Sequence, residues 1–269
     1  MKFDKLDIKL RIFETTHDLS VMPEIFMIAR IDGRNFTRLT KDIHSFEAPY
    51  DERFRDYMIA TIKHLMNCGF RIIYGYTQSD EISLLFHRDE DIFNRKLRKL
   101  NSVLAGEASA KFSVLLGDIG AFDCRISQLP TLNLVVDYFR WRNEDAHRNA
   151  LNAHCYWILR KEGMDAESAT QDLHKLSVGD KNELLYQRGG INFNDLPTWQ
   201  KRGVGVYWQT YQKDAFNPKT GSSVVATRRK IKADLNLPMK DEYSKFITNI
   251  LLKEHPDLEY SKKLLLESI

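Results

Sequence analysis

An apolar run that ends in a charged turn is the feature that most constrains the fold of this chain. Residues 25–31 have the composition of a buried strand, and Asp32, Gly33 and Arg34 follow them directly. Strands of this kind usually end in neutral turn residues. Here one strand end carries a carboxylate, a glycine and a cation. We therefore predict that Asp32 binds a divalent metal ion and that the turn after it binds a nucleoside triphosphate.

The elements after this strand complete a recognisable order. The sequence predicts a loop at residues 37–49, a helix from Asp51 to about Gly69, strands at 71–76 and 82–86 around a turn at 77–81, a helix from Asp91 to about Leu116, and a strand at 122–126. Strand, helix, hairpin, helix, strand is the ferredoxin-like α+β arrangement. Because crossovers are right-handed, the first strand ends at the same sheet edge as the hairpin turn. Asp32 and Asp80 are therefore expected at one edge.

The second half of the chain is less regular. It predicts a helix at residues 137–160, a helical segment at 166–176, a hairpin of strands 204–211 and 222–230 with its tip at 217–221, and two closing helical segments separated near His255. We place a domain boundary after residue 135. We expect residues 1–135 to form the catalytic core and residues 136–269 to form a helical and hairpin extension that completes the catalytic and substrate-binding unit.

Composition indicates a soluble globular protein. The chain has 269 residues, 43% of them hydrophobic and 29% charged, which suits one large domain or a core with an appendage. No apolar run approaches the roughly 20 residues of a membrane helix, and the first residues are too charged for a signal peptide. The three scattered cysteines lack metal-ligand spacing and predict reduced thiols in a cytoplasmic protein.

The paired aspartates are the strongest chemical signal. Two carboxylates at one strand edge repel each other unless a cation lies between them, and oxygen ligands with open positions suit Mg²⁺. Paired metal ions are the usual device for nucleotidyl transfer. The backbone N–H groups of residues 33–36 and the Ser79 hydroxyl are candidates for binding the phosphates. The alternative is that both aspartates and Ser79 are ordinary turn residues.

Two basic runs are candidates for binding an RNA backbone. They lie at residues 95–99 and 228–232, whereas the net charge of only +3 does not itself require nucleic acid. A solvated helix surface is the alternative for the first run. His147 has no second histidine four residues later, so the helix around it does not predict a metal site.

Six blocks of residues resemble the motifs of one known family, both in their order along the chain and in their amino-acid identities. They are residues 30–36, 76–81, 137–142, 147–149, 181–183 and 190–192. The chain resembles the tRNA-His guanylyltransferases and the related 3′–5′ RNA polymerases over roughly residues 20 to 210. The resemblance implies a polymerase-like palm and a nucleotidyltransferase that activates the 5′ end of tRNA with ATP or GTP. The 3′-hydroxyl of an incoming nucleotide then attacks that end, and AMP or pyrophosphate leaves.

The resemblance also implies ligands, partners and site residues. The expected partners are two Mg²⁺ ions, ATP and GTP as substrates, tRNA, and a homotetramer built as a dimer of dimers. The metal and catalytic residues would be Asp32, the Gly33 carbonyl and Asp80, supported by Glu81. The residues lining the nucleotide would be Arg34, Asn35, Phe36, Asp51 and Ser79. The contacts to a second triphosphate, the activated 5′ end or the tRNA would be Arg30, Arg95, Arg98, His147, Asn149, Lys181 and Asn182.

The sequence departs from the family pattern at two places. It reads His147-Arg148-Asn149-Ala150 where guanylyltransferases usually read His-Ile-Asn-Asn, and Ala48 precedes Pro49 where a lysine is common. The first departure is similar to the like-protein branch of bacteria and archaea, which repairs truncated tRNA 5′ ends against a template. We therefore expect template-dependent addition rather than addition of G to tRNA-His, with Lys41 as a candidate replacement for the missing lysine. The alternatives are a palm-type nucleotidyl cyclase and a non-catalytic tRNA-binding protein.

Overall fold

The computed structural model describes residues 3–217 and 222–256, and its described strands form one antiparallel sheet. The strands are β1 (Phe26–Gly33), β2 (Ile72–Gln78), β3 (Glu81–Phe86), β4 (Phe122–Leu129), β5 (Val204–Asn217) and β6 (Ser222–Asp234). Their order in the sheet is β4-β1-β3-β2-β5-β6. The first four positions are those of a ferredoxin-like core, so the predicted fold is confirmed. The hairpin β5–β6 extends the same sheet beyond β2.

Nine α-helices are described in the same part of the chain. They are α1 (Phe3–Thr15), α2 (Phe36–Arg38), α3 (Glu52–Leu65), α4 (Leu97–Leu116), α5 (Leu132–Lys161), α6 (Ala166–His174), α7 (Val178–Gly189), α8 (Thr198–Arg202) and α9 (Lys240–Glu254). None of the described helices is long and apolar enough to cross a membrane.

Successive side chains of β1 point alternately into two hydrophobic cores, one on each face of the sheet. Met27, Ala29 and Ile31 join the core that α3 and α4 cover, whereas Phe26 and Ile28 join the core that α5 and α9 cover. This is the period of two expected for a strand buried on both faces. By the same alternation, Asp32 lies on the α5 face and Gly33 on the α3–α4 face.

Helix α5 joins the sheet to a smaller helical region. It has 30 residues, which corresponds to about 45 Å of helix. It begins at Leu132, earlier than predicted, because the Thr131 hydroxyl caps it by accepting the Leu134 amide at 3.3 Å. Its second half packs against α6 and α7 in a third core. The predicted boundary after residue 135 falls inside this helix and stays a prediction.

Two local predictions are wrong. The polar stretch predicted as a loop contains α2 and a π-helix at Leu39–Ile43. The helix predicted from Asp91 begins only at Leu97, after a 3₁₀ turn at Ile92–Arg95. Three consecutive residues there, Phe93, Asn94 and Arg95, have positive φ angles of 55°, 51° and 56°. The turn buries the Arg95 side chain under the start of β1, which a continuous helix would not do.

Two other predictions lie outside the described residues. The strands of the predicted hairpin are present and longer than expected, but residues 218–221 of its tip are not described. Of the two closing helical segments, the first is α9, and the second falls after residue 256.

Candidate functional site

Carboxylates converge where β1 ends. Asp32 lies opposite Glu81 of β3 on one side and opposite Asp123 of β4 on the other. Residues directly opposite each other in antiparallel strands share a face, so these three side chains form a row across the sheet. Asp80 precedes Glu81, and its carbonyl accepts the Gly33 amide at 3.2 Å. The prediction that Asp32 and Asp80 share one edge is confirmed.

Positive charge near these carboxylates is unevenly distributed. Glu81 pairs with Arg30 and lies 3.7 Å from the Arg142 guanidinium. Asp32 has only Arg125 at 3.5 Å. Within the described chain, Asp80 has no ion-pair partner, and the Ser79 hydroxyl donates to it at 3.0 Å. Among the described residues, one arginine thus pairs with Asp32 and no cation pairs with Asp80, whereas Glu81 is compensated by two arginines.

Burial and mutual repulsion raise the pKa of both Asp80 and Glu81. Burial raises the pKa of Asp80, and the Asp32 charge raises it further, against hydrogen bonds from its own amide and Ser79. Burial likewise raises the pKa of Glu81, with Asp32 and Asp80 adding and with Arg30 and Arg142 opposing. A divalent cation between the carboxylates would favour their ionised forms. Their oxygen atoms are of the hard type that Mg²⁺ prefers.

Gly33 is required by close packing. A Cβ atom at this position would lie 2.6 Å from the Phe36 ring and 2.9 Å from the Asp80 Cβ. Phe36 is fixed in turn by Phe112 and Phe122, with ring centroids 5.1 Å and 4.8 Å away. Only glycine lets the strand end approach Asp80 this closely.

The phosphate-binding turn predicted at residues 33–36 is already partly engaged within the protein. The Gly33 amide donates to the Asp80 carbonyl, and the Arg34 amide donates to the Ala121 carbonyl at 2.8 Å. Neither amide is directed at a ligand, which corrects the prediction for these two residues. Asn35 has a positive φ of 61°, and both it and Arg34 are exposed next to the carboxylates.

A cavity of about 370 Å³ opens beside Asp80 and Glu81. This volume lies within the usual range of small-molecule sites. Its walls come from α2, the π-helix, the start of α3, the β2–β3 turn, α5 and α8. The predicted site residues that line it are Phe36, Asp51, Ser79, Asp80, Glu81 and Asn149. The structure thus joins residues from both halves of the chain around one cavity.

Asp51 lines the cavity, but its carboxylate caps a helix. It accepts hydrogen bonds from the Arg53 and Glu47 amides at 2.7 Å and 2.9 Å, and from the Arg53 guanidinium at 2.9 Å. Although burial opposes it, these bonds lower the pKa of Asp51 to about 2. The side chain is buried and its oxygens are engaged, so its contacts support a structural role rather than a direct nucleotide contact.

Lys41 and Ala48 line the same cavity. The Lys41 ammonium lies 4.8 Å from the centroid of the Trp157 ring, within cation–π range. Burial lowers the pKa of Lys41, with Asp42 opposing and Arg160 adding. A cation therefore reaches the cavity although alanine occupies the position where the family usually has lysine.

His147 lies one helical turn from the cavity and does not line it. Its ring packs against Phe193, with centroids 5.2 Å apart. Burial lowers the pKa of His147, and Arg202 and Lys201 add to the shift, so the imidazole is neutral at physiological pH. Asn149, two residues later on α5, faces the cavity and donates to Asp145 at 3.2 Å.

Four predicted contacts lie away from the cavity. Arg95 is buried and donates to the carbonyls of Ile25, Arg88 and Glu90. Ile25 precedes β1, seven residues before Asp32, which corresponds to about 23 Å of extended chain. Arg98 lies at that far end as well and pairs with Asp18. Lys181 and Asn182 lie on α7, where the Asn182 amide donates to the Val178 carbonyl at 2.8 Å. Within one chain, these four side chains therefore do not reach the cavity that Asp80 lines.

Sequence reasoning missed three charged residues at this edge. Arg142 approaches Glu81 from α5 and stacks on Trp141, with its guanidinium carbon 3.4 Å from the ring centroid. Asp123 extends the carboxylate row, and Arg125 is the cation nearest to Asp32. Arg142 lies within one of the family blocks, which is a usable signal. The two β4 residues become visible only from the strand register.

Fold and site together define a palm-type nucleotidyltransferase, and comparison with known proteins gives its family. A model of the tRNAHis guanylyltransferase domain matches residues 7–130, and one of the Thg1 C-terminal domain matches residues 133–248. A probable tRNA(His) guanylyltransferase of Drosophila melanogaster is 32% identical over 196 residues, covering 70% of this chain and 68% of that protein. The chain belongs to the tRNA(His) guanylyltransferase family.

Solved structures support the same assignment. The tRNA(His) guanylyltransferase of Saccharomyces cerevisiae is 28% identical, with a TM-score of 0.68, and covers 77% of this chain and 93% of its own. A bacterial tRNA(His) guanylyltransferase (Thg1)-like protein in complex with GTP is 25% identical, with a TM-score of 0.71. The match covers 92% of this chain and 99% of that protein. The likeness extends over both halves of the chain, and it does not separate the bacterial branch from the rest of the family.

Proposed function

We propose that this protein adds nucleotides to the 5′ end of tRNA in the 3′–5′ direction, at the edge that Asp32 and Asp80 share. The observation that carries the proposal is the Asp80 carboxylate, which has no ion-pair partner in the described chain, lies at the same strand edge as Asp32 and lines a cavity of nucleotide size. Family membership supports tRNA as the substrate, and the GTP bound to a solved relative supports a nucleoside triphosphate.

Asp32, the Gly33 carbonyl and Asp80 are the groups we assign to two Mg²⁺ ions. The fit is supported by their oxygen chemistry and by the missing positive charge at Asp80. Two carboxylates and a carbonyl leave the other coordination positions to phosphate oxygens and water, as is usual for Mg²⁺. When bound, such metal ions activate the attacking hydroxyl and stabilise the charge on the leaving phosphate.

The remaining side chains position the nucleotide. Asn149 and Ser79 present polar groups to the cavity beside Asp80, and Lys41 supplies a cation for the phosphates. Glu81 is held by Arg30 and Arg142, so it orients these arginines at the edge where a triphosphate would lie. We assign Glu81 this supporting role rather than a direct metal contact.

The predicted basic patch at residues 228–232 lies on β6 and is a candidate surface for tRNA. Arg229, Lys230 and Lys232 stack on Trp208, Tyr211 and Tyr207 of β5, at 5.3 Å, 5.4 Å and 5.6 Å from the ring centroids. Cations beside aromatic rings are a common surface for binding nucleic acid. Arg98, which is partly exposed, is a second candidate contact for the RNA.

We favour template-dependent repair of tRNA 5′ ends over addition of G to tRNA(His). The departure at His147-Arg148-Asn149-Ala150 supports this choice by its likeness to the like-protein branch. Ala150 is fully buried in the core that α5 shares with α6 and α7, so its effect on the nucleotide is indirect. Ala48 lines the cavity and is the departure that reaches the substrate.

A 5′-truncated tRNA, incubated with each nucleoside triphosphate and Mg²⁺, tests this proposal through the length of the product. Additions that follow the opposite acceptor strand support repair. Addition of G whatever the opposite base indicates tRNA(His) maturation instead. A cyclic product formed from nucleoside triphosphates without RNA would contradict the polymerase activity and favour a nucleotidyl cyclase. Binding of RNA without any product would favour the non-catalytic alternative.

We also propose a homotetramer and a cytoplasmic location. Helix α1 supports an assembly, because all its described side chains are at least partly exposed, including the apolar Ile8, Ile12 and Phe13. Light scattering should give about four times the chain mass of 31.5 kDa, and a monomer at micromolar concentration would contradict the assembly. The three free cysteines support a reducing compartment.

A further inference from the structure

Three metal-ligand side chains meet on the outer helical layer, away from the candidate active site. They are His64 near the end of α3, Cys68 in the turn after it, and Glu107 in α4. One donor atom from each lies within 4.8 Å of the other two. Among the residues that the structure describes, no other three histidine, cysteine or acidic side chains meet this closely.

The cluster is separate from the carboxylates at the end of β1. Asp51 caps α3 beside the nucleotide cavity, and His64 follows 13 residues later, which corresponds to about 20 Å of helix. Its ligand types also differ. Asp32 and Asp80 offer only oxygen atoms, whereas this cluster offers a sulfur, an imidazole nitrogen and a carboxylate oxygen.

We propose that His64, Cys68 and Glu107 bind one Zn²⁺ ion, with water as a fourth ligand. Sulfur and nitrogen ligands select Zn²⁺ over Mg²⁺, and zinc readily takes this mixed set in tetrahedral geometry. Zinc–ligand distances of about 2.0–2.3 Å place tetrahedral donor atoms roughly 3.3–3.7 Å apart. The His64 Nε2 and Glu107 Oε2 atoms are 2.7 Å apart, so they need to separate by less than about 1 Å.

Zinc binding replaces two existing contacts. The His64–Glu107 hydrogen bond opens, and the Cys68 thiol, which donates to the Leu65 carbonyl at 3.3 Å, releases its proton to solvent as the Zn–S bond forms. No oxidant or other reactant is needed. Burial, with Glu107 adding, raises the pKa of Cys68 to about 11, so the metal-free thiol is not a nucleophile at neutral pH.

The position of the site indicates what it does. Helices α3 and α4 pack side by side over the sheet face whose hydrophobic core includes Phe36 and Phe112. A metal ion bound by both helices joins the end of one to the middle of the other. Because a ligand that binds only the folded state stabilises it by mass action, zinc should raise the unfolding temperature without entering the reaction.

Cobalt titration of the full chain tests this proposal without measuring activity. After treatment with a chelator, we expect one equivalent of Co²⁺ to produce the sulfur-to-cobalt charge-transfer band and the intense visible bands of tetrahedral Co²⁺, and Zn²⁺ to abolish both. Cys68→Ser should lose the charge-transfer band. Cys124→Ser is the matched thiol control and should keep it.

Two further variants make the result decisive. Glu107→Gln should keep the charge-transfer band and weaken Co²⁺ binding by at least roughly 10-fold, because even the loss of an outer partner of a metal ligand costs roughly 10–100-fold. Asp80→Asn should retain the full equivalent, because its carboxylate belongs to the other site. Absence of a charge-transfer band in the wild type at saturating Co²⁺, or its persistence in folded Cys68→Ser protein, would overturn the proposal.

Discussion

The two ends of β1 differ in how completely their charged side chains are paired within the protein. At the end near Ile25, the buried Arg95 guanidinium donates to backbone carbonyls of three residues, and Asp18 pairs with both Lys96 and Arg98. At the other end, Asp32 pairs with a single arginine at 3.5 Å, and Asp80 has no ion-pair partner in the described chain. One strand thus connects a charge-satisfied end to a charge-deficient end.

This difference separates structural charges from functional ones. Both ends of β1 contain charged residues that the sequence predicts as site residues, basic at the Ile25 end and acidic at the Asp32 end. The two terminal nitrogens of Arg95 donate to carbonyls of its own protein and hold the turn at residues 93–95 in place, so a ligand would have to displace existing bonds. Burial raises the pKa of Asp80, and the Asp32 charge adds to the shift, although hydrogen bonds from its own amide and Ser79 and the Arg30 charge oppose it. Perturbed ionisable groups of this kind are typical of active sites.

The largest expected effect is on catalysis at the charge-deficient end. Asp32→Asn keeps the shape of the side chain but removes the charge that we propose binds metal. We expect the rate of 5′ addition to fall about a thousandfold, which corresponds to several kcal/mol of lost transition-state stabilisation. The unfolding temperature should not fall, because removing one of two repelling carboxylates costs no packing. Single-turnover kinetics and thermal unfolding check both parts.

The next largest effect is on stability at the satisfied end. Arg95→Met should lower the free energy of unfolding by roughly 3 kcal/mol, because it leaves buried carbonyl groups without a donor. The KM for nucleotides should be unchanged. Arg98→Gln is the matched control, since its exposed ion pair with Asp18 contributes little to the free energy of unfolding. Equal losses in the two variants would show that Arg95 is not structurally special.

Gly33→Ala tests how closely β1 approaches Asp80. The added methyl group meets the Phe36 ring at 2.6 Å, so we expect a loss of about 1–3 kcal/mol in unfolding free energy from overpacking and a lower kcat. Gly106→Ala is the control, because a Cβ there has no neighbour within 4 Å. It should stabilise α4 by about 0.5–1 kcal/mol. Unimpaired activity in Gly33→Ala would contradict the packing argument.

The smallest expected effect concerns the Asp51 cap and its pH dependence. Asp51→Ala should cost about 1 kcal/mol at pH 7. The folded-state pKa of about 2 lies below the usual unfolded value of ~3.9. The stabilisation is therefore complete above about pH 4 and is lost as the pH falls towards 2. Urea unfolding at pH 7 and pH 3 should show the difference between wild type and variant shrinking, and a constant difference would contradict this cause.

The sequence predicted the fold and the metal edge because both follow from the order of elements. The right-handed crossover alone brings Asp32 and Asp80 together, whatever lies between them. It did not predict the turn at Phe93–Arg95, because the burial of Arg95 depends on contacts with residues far along the chain. Asp123 could be placed beside Asp32 only once the strand register was known. The His64–Cys68–Glu107 cluster could be found only from the packing of α3 on α4. The sequence correctly predicts a helix start at Asp51. It predicts a nucleotide contact for this side chain, however, whereas the structure shows a helix cap.

Metal binding at Asp80 tests the central claim most directly. The measurement is the number of Mn²⁺ ions bound in the presence of a non-hydrolysable nucleoside triphosphate, counted by electron paramagnetic resonance in a Cys68→Ser background that removes the proposed zinc site. We expect two ions per chain, and Asp80→Asn should lose at least one of them while the protein stays folded. If Asp80→Asn binds the same number of ions with unchanged affinity, the edge between β1 and β3 is not the metal site.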